Sequence, residues 1–162
     1  MVKQILTSEV IKMQLTQKET ELLKDLQDQE KLCVEKYNKH AAAAIDCQLK
    51  DLFTKIASVE QGHLNTINQI QSGTVPMLNG GESTQPTFSA TYGTEENADK
   101  QNDYYLCSDL LTTEKHASHL YDTCVFEFKD ENVRNVLNHI QKEEQEHGKM
   151  LYDYMQTNCM YA

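Results

Sequence analysis

The sequence predicts an all-α protein: a four-helix bundle with one long crossover between its second and third helices, built from a duplicated helical hairpin. Three observations carry this. Four stretches place apolar residues at steps of three and four, the spacing of one helix face. Both prolines and four of the six glycines fall within residues 72–98, so little interrupts long helices elsewhere. The segment Glu30–His63 aligns without a gap on Glu114–His147, matching Glu30/Glu114, Lys31/Lys115, Tyr37/Tyr121, Asp46/Asp130, Ile56/Ile140, Glu60/Glu144, Gln61/Gln145 and His63/His147. The 162 residues suffice for one domain with one core.

Residues 1–15 carry Ile5, Leu6, Val10, Ile11 and Leu15, a short amphipathic segment expected to pack outside the bundle as a helical turn or two. The bundle itself is expected over 16–156, and a tail, 157–162, is expected to fray or dock loosely. Thr16-Gln17-Lys18-Glu19 reads as a capping box, and the first helix runs from it to about Ala44. Its inward stripe is Leu23, Leu26, Glu30, Cys33, Tyr37, Ala41 and Ala44, so Glu30 stands where a leucine belongs. Asp46 restarts the chain as a cap. The second helix, from about Gln48 to Gln71, turns Leu49, Leu52/Phe53, Ile56, Glu60, His63, Ile67 and Ile70 inward. Gly62 weakens it by about 1 kcal/mol relative to alanine, and either allows a neighbouring helix a close approach or is incidental to the packing.

Residues 72–97 have no helical period. A connection this long has a use in a bundle: it joins the second and third helices as a parallel pair, as in ferritin-like folds. Phe88 and Tyr92 are placed to pin it to the side of the bundle. The third helix is expected from about Ala98 to Phe128, with Asp103, Cys107, Leu110, Glu114, Ala117, Tyr121, Cys124 and Phe128 inward. Asp130 caps the fourth, from about Asn132 to Met155, with Val133, Leu137, Ile140, Glu144, His147, Leu151 and Tyr154 inward.

Composition narrows the function. A net charge of −10 argues against a nucleic-acid backbone or an anionic membrane surface as partner, and is compatible with cation uptake. There is no run of 18 apolar residues to span a membrane, and the N-terminus lacks the apolar stretch of a secretory signal. The five cysteines are odd in number and contain no Cys-x-x-Cys pair, so free thiols in a reducing compartment are expected rather than a disulfide framework. Cys33, Cys107 and Cys124 fall on the inward stripes, where they act as small hydrophobes.

The chemistry lies in the acids on those stripes. Glu60-Gln61-Gly62-His63 and Glu144-Gln145-Glu146-His147 each place a carboxylate and an imidazole three residues apart, on one helix face. A four-helix dimetal carboxylate site takes one Glu from each of two helices and a Glu-x-x-His from each of the other two, all pointing inward. Glu30, Glu60/His63, Glu114 and Glu144/His147 supply that set in chain order. Four carboxylates at one level repel and cannot all ionise, whereas two divalent cations neutralise them. Glu30 and Glu114 are expected to bind one ion each, Glu60 and Glu144 to bridge, and each histidine to give one nitrogen. The mixed ligand set suits two iron or manganese ions, with zinc admissible. An exposed glutamate on an acidic helix is the ordinary case; the matched set of six outweighs it. His40, His116, His119 and His139 lie off the stripes and read as surface residues, and Glu143 and Glu146 as residues flanking the site. Tyr37 and Tyr121 read as core tyrosines with satisfied hydroxyls rather than redox centres.

The string Asp109-Leu110-Leu111-Thr112-Thr113-Glu114-Lys115-His116 through Tyr121, then Ile140-Gln141-Lys142-Glu143-Glu144-Gln145-Glu146-His147 and Leu151-Tyr152-Asp153-Tyr154-Met155, resembles the spore coat F family of endospore formers. Asp25-Leu26-Gln27-Asp28-Gln29-Glu30-Lys31, with Glu60 and His63, is similar to the same unit in the first half. The resemblance implies a ferritin-like fold and a coat component, made in the mother-cell cytoplasm and assembled around the forespore. Its partners would be other spore coat proteins, and a homodimer is compatible with it. It does not imply an enzyme. The alternative is a dimetal oxidoreductase, scavenging peroxide as rubrerythrins and manganese catalases do with the same six-ligand pattern, or oxidising ferrous iron. With no Cys-x-x-Cys module in the sequence, its reductant would come from another protein.

Overall fold

Each helix begins at a side chain able to cap it. In the computed structural model, which describes residues 12–78 and 84–161, α1 spans Gln17–Ala43, α2 Cys47–Gln71, α3 Ala98–Val125 and α4 Glu131–Thr157. Thr16 and Glu19 form the expected capping box: the Thr16 hydroxyl accepts from the Glu19 N–H at 3.1 Å, and the Glu19 carboxylate accepts from the Thr16 N–H at 2.7 Å. Asp46, Asn97 and Asp130 cap the other three. These acceptors satisfy amide groups that a first helical turn leaves unpaired. Helix α3 stops at Val125, short of Phe128, because the N–H groups of Glu127 and Phe128 both turn back onto the Cys124 carbonyl. Phe128 is buried nonetheless, now as the first anchor of the turn into α4.

The topology follows from which ends meet. Helices α1 and α2 pack as one hairpin and α3 and α4 as another; between the hairpins α1 meets α3, and α2 meets α4 more sparsely. The N–H groups of Ile45 and Asp46 donate to the Asp103 carboxylate at 2.8 and 2.9 Å, so α2 and α3 start at the same end and run parallel. At the other end the Lys129 N–H donates to Glu19 at 2.9 Å, and Lys18 pairs with Glu127. The crossover from α2 to α3 therefore travels the length of the bundle. Its second half is pinned as expected: Phe88 sits edge-on to Tyr154, and the buried Tyr92 donates its hydroxyl to Asp103 at 2.8 Å.

The stripes read from the sequence are buried almost residue for residue, with Ala41 only partly so. They form two separate apolar clusters. One, at the Asp46 end, includes Tyr37, Phe53, Ile56, Leu110, Leu151 and Tyr154. The other, at the Glu19 end, includes Leu23, Leu26, Ile67, Tyr121, Leu137 and Ile140. A layer of buried acids and imidazoles lies between them along every helix.

Other expectations need correction. The tail does not fray at Asn158, which is fully buried: its side-chain oxygen accepts the N–H groups of Thr91 and Tyr92 at 2.8 and 3.0 Å, and its amide donates to the Tyr154 carbonyl. Of the two readings of Gly62 the incidental one holds: an added Cβ there would meet nothing within 4 Å. Gly73 is the glycine the fold requires. Its φ of +88° is left-handed, and its carbonyl accepts the Met13 N–H at 3.2 Å. Most of the N-terminal segment, residues 1–11, lies outside the described residues; 12–15 are not helical, and Met13 and Leu15 pack on the Glu19-end cluster. All five cysteines are free thiols, and burial pushes those of Cys33, Cys107 and Cys124 up, Cys124 to about 12, so they are inert. Among the described residues no helix is long and apolar enough to cross a membrane.

Asp103 is fully buried and ties the α1–α2 turn, the crossover and α3 together. Asp103→Ala leaves those donors without an acceptor and is expected to cost about 3 kcal/mol, lowering Tm by about 6–12 °C for a chain of this length. Urea and thermal unfolding followed by circular dichroism check this; a loss below about 1 kcal/mol would remove Asp103 from that role.

Candidate metal centre

The helical spacing that put Glu30, Glu60, His63, Glu114, Glu144 and His147 on inward faces also puts them at one level. All six are buried, none more than 3 % exposed. They form two overlapping quartets, Glu30–Glu60–His63–Glu144 and Glu60–Glu114–Glu144–His147, in each of which one donor atom per residue lies within 4.8 Å of the others. Glu60 and Glu144 belong to both. The division of their oxygens is regular. Glu60 Oε2 lies 3.0 Å from His63 Nδ1 while its Oε1 lies 3.2 Å from His147 Nδ1. Glu144 Oε1 lies 3.3 Å from His63 Nδ1 while its Oε2 lies 3.5 Å from His147 Nδ1. Glu30 and Glu114 each face one imidazole, at 3.9 and 3.5 Å. The two rings stack at 5.8 Å between centroids. Local twofold symmetry of the repeated hairpins is the source of this pairing.

The donor chemistry fits a pair of cations. Glu30 Oε2, Glu60 Oε1, Glu114 Oε2, both oxygens of Glu144 and His147 Nδ1 are buried without a hydrogen-bond partner. Buried polar atoms are seldom left unpaired, and here the orphans converge on one layer. No Lys or Arg side chain reaches these carboxylates among the described residues. Oxygen and imidazole donors in this number are what a first-row divalent cation takes.

Where no cation binds, protons must neutralise the layer instead. Burial raises the Glu30 and Glu114 carboxyls well above the usual carboxylate range, and the neighbouring Glu144 and Glu60 charges add to it. Burial pushes Glu60 and Glu144 upward too, but the imidazoles of His147 and His63 outweigh it and hold both below that range. Burial depresses His63 and His147; the carboxylates beside them outweigh it and raise both well above an ordinary histidine, Glu143, Glu144 and Glu60 around His63 and Glu114, Glu144 and Glu60 around His147. These directions favour protons on the two imidazoles and the outer Glu30 and Glu114, against ionised Glu60 and Glu144.

Two tyrosines complete the layer across the hairpins. The Tyr37 hydroxyl of the first donates to Glu114 Oε1 of the second, and the Tyr121 hydroxyl of the second donates to Glu30 Oε1 of the first. Burial keeps both phenols protonated and therefore donors. The reading of these tyrosines as core residues with satisfied hydroxyls holds; the identity of their acceptors required three dimensions. Glu143, read as flanking, accepts from His63 Nε2 at 2.8 Å and lies 3.5 Å from His139. His40 and His139 are half-buried against Asp109 and Glu143, not surface residues as expected, whereas His116 and His119 are exposed.

Comparison with known proteins bears on the second hairpin. Residues 102–162 match the Coat F domain, bearing out the resemblance read from residues 109–155. The match covers α3 from Asn102 onward together with α4, and so includes Glu114, Glu144 and His147. No curated protein and no solved structure matches the chain.

The protonation pattern has a measurable sign. Ligation needs neutral imidazoles and ionised carboxylates, so a divalent cation must displace the protons held on His63, His147, Glu30 and Glu114. Loading with Mn²⁺ is expected to release about two protons per ion and to weaken steadily as pH falls through the neutral range. Titration in weak buffer with a pH indicator reads the release directly; uptake without proton release would contradict the assignment.

Proposed function

We propose that the chain is a spore coat protein whose bundle holds two first-row divalent cations, iron or manganese, one in each quartet, with Glu60 and Glu144 bridging. The observation that carries this is the way each bridging carboxylate turns one oxygen to each imidazole in a layer of orphaned donors. The Coat F match supports the coat assignment, with assembly among other coat proteins around the forespore. In this role the ions replace protons as the neutralising charge and tie four helices together, so metal stabilises the building block.

A second reading, an oxidoreductase acting on peroxide or oxygen, is favoured by two observations. Each quartet offers four residues, fewer ligands than a six-coordinate ion takes, and a cleft of about 30 Å³ lined by Val59, Glu146 and His147 is of a size to admit a water-like molecule. A bound iron or manganese pair would supply electrons by cycling between divalent and trivalent states. The chain's own residues would position it: Tyr37 and Tyr121 fix the outer carboxylates.

The test is metal analysis of protein purified without oxygen, then addition of peroxide. About two iron or manganese ions per chain, lost in Glu144→Ala, are expected. Turnover of peroxide would favour the second reading, and a rise in Tm on loading without turnover the first. Protein that takes up neither metal overturns both. Recovery of the chain from the coat fraction of purified spores checks its location separately.

A further inference from the structure

We infer that the two half-sites are unequal: the one built on Glu30 and His63 takes its divalent cation first and holds it more tightly, and Glu143 is the residue that makes the difference. This rests on the two-ion reading above. The gap-free register of the hairpins keeps every ligand and both tyrosines, yet fails around the imidazoles. Glu143 corresponds to Val59, His139 to Lys55, and Glu146 to Gly62.

The consequence is visible in the outer nitrogens. His63 Nε2 lies 2.8 Å from Glu143 Oε2, and the other oxygen of Glu143 lies 3.5 Å from His139 Nε2. With Nε2–H donating to a carboxylate, a cation that displaces the Nδ1 proton meets a lone pair already turned toward Glu30, Glu60 and Glu144, in a ring held in that tautomer. His147 has no such support. Among the described residues nothing hydrogen-bonds its Nε2, and the ring lines the small cleft in which Val59 stands where a carboxylate would be needed. Glu143 also borders that cleft, but its oxygens are engaged with His63 and His139. Outer carboxylates of this kind are worth about 10–100-fold in metal affinity. Glu143 is about a quarter exposed, so the low end, about tenfold, is expected. The quartet with Glu114 and His147 is then the exchangeable one.

Two-step titration alone does not decide the matter, because a shared pair of bridging carboxylates makes a second cation bind more weakly even at identical sites. Location decides it. Crystals of the full chain loaded with one equivalent of Mn²⁺ are expected to show the anomalous signal beside His63 Nδ1. Glu143→Val, which copies the other half-site, is expected to weaken the first step about tenfold and to divide the signal between the two positions. Equal signal in the unmodified chain, or a signal beside His147, overturns the inference and leaves the two-ion reading standing. Failure to bind Mn²⁺ at all removes both.

Discussion

Everything else in the molecule answers to four carboxylates held in a buried layer. One uncompensated buried charge costs several kcal/mol, and a domain of this size is stable by only about 5–15 kcal/mol. Four bare charges would exceed that margin. The layer therefore has to be neutral, by imidazolium and retained protons or by cations, before the helices can pack at all. Its surroundings are arranged accordingly. The tyrosine hydroxyls take one lone pair from each outer glutamate, each histidine lies against both Glu60 and Glu144, and the apolar side chains are divided into two clusters that close the layer from above and below. Because neither cluster reaches through the middle, the ends need ties of their own, which Asp103, Asn158 and the Glu19 cap supply.

Much of this was legible in the sequence because it is periodic. A glutamate in a row of leucines is a local signal, and the duplicated spacing turned four such signals into one layer. Thr16, Asp46 and Asp130 marked helix starts because a cap acts within a few residues of itself. The acceptors of Tyr37 and Tyr121 could not be read, since each lies on the other hairpin and no spacing rule connects them. Asn158 was misjudged for a related reason: its partners are backbone N–H groups of the crossover, which side-chain patterns do not register. The end of α3 was overrun because Phe128 keeps the helical spacing after the backbone has turned. Glu143 reads from the sequence as either a surface residue or one supporting a ligand from behind; its departure from Val59 in the repeat was the signal available to choose between them.

The two halves of the chain are unequal in another respect. The Coat F match covers the second hairpin, while the first repeats its glutamates, histidine and tyrosine in register among many differing residues. What the halves share most faithfully is the set of groups that must meet in the middle. They differ on the outer side of the imidazoles, where Lys55, Val59 and Gly62 stand opposite His139, Glu143 and Glu146, and also in the apolar clusters, where Phe53 stands opposite Leu137 and Ala44 opposite Phe128.

The crossed tyrosines bear on how such a chain can be assembled. Each hairpin carries a phenol whose acceptor is in the other half and a carboxylate whose donor is there too. A lone hairpin has neither contact, whereas two identical hairpins facing one another would make both. The same bonds that lock this chain together would thus serve a symmetric dimer of half its length, and joining the copies in tandem is what frees each to become different from its twin.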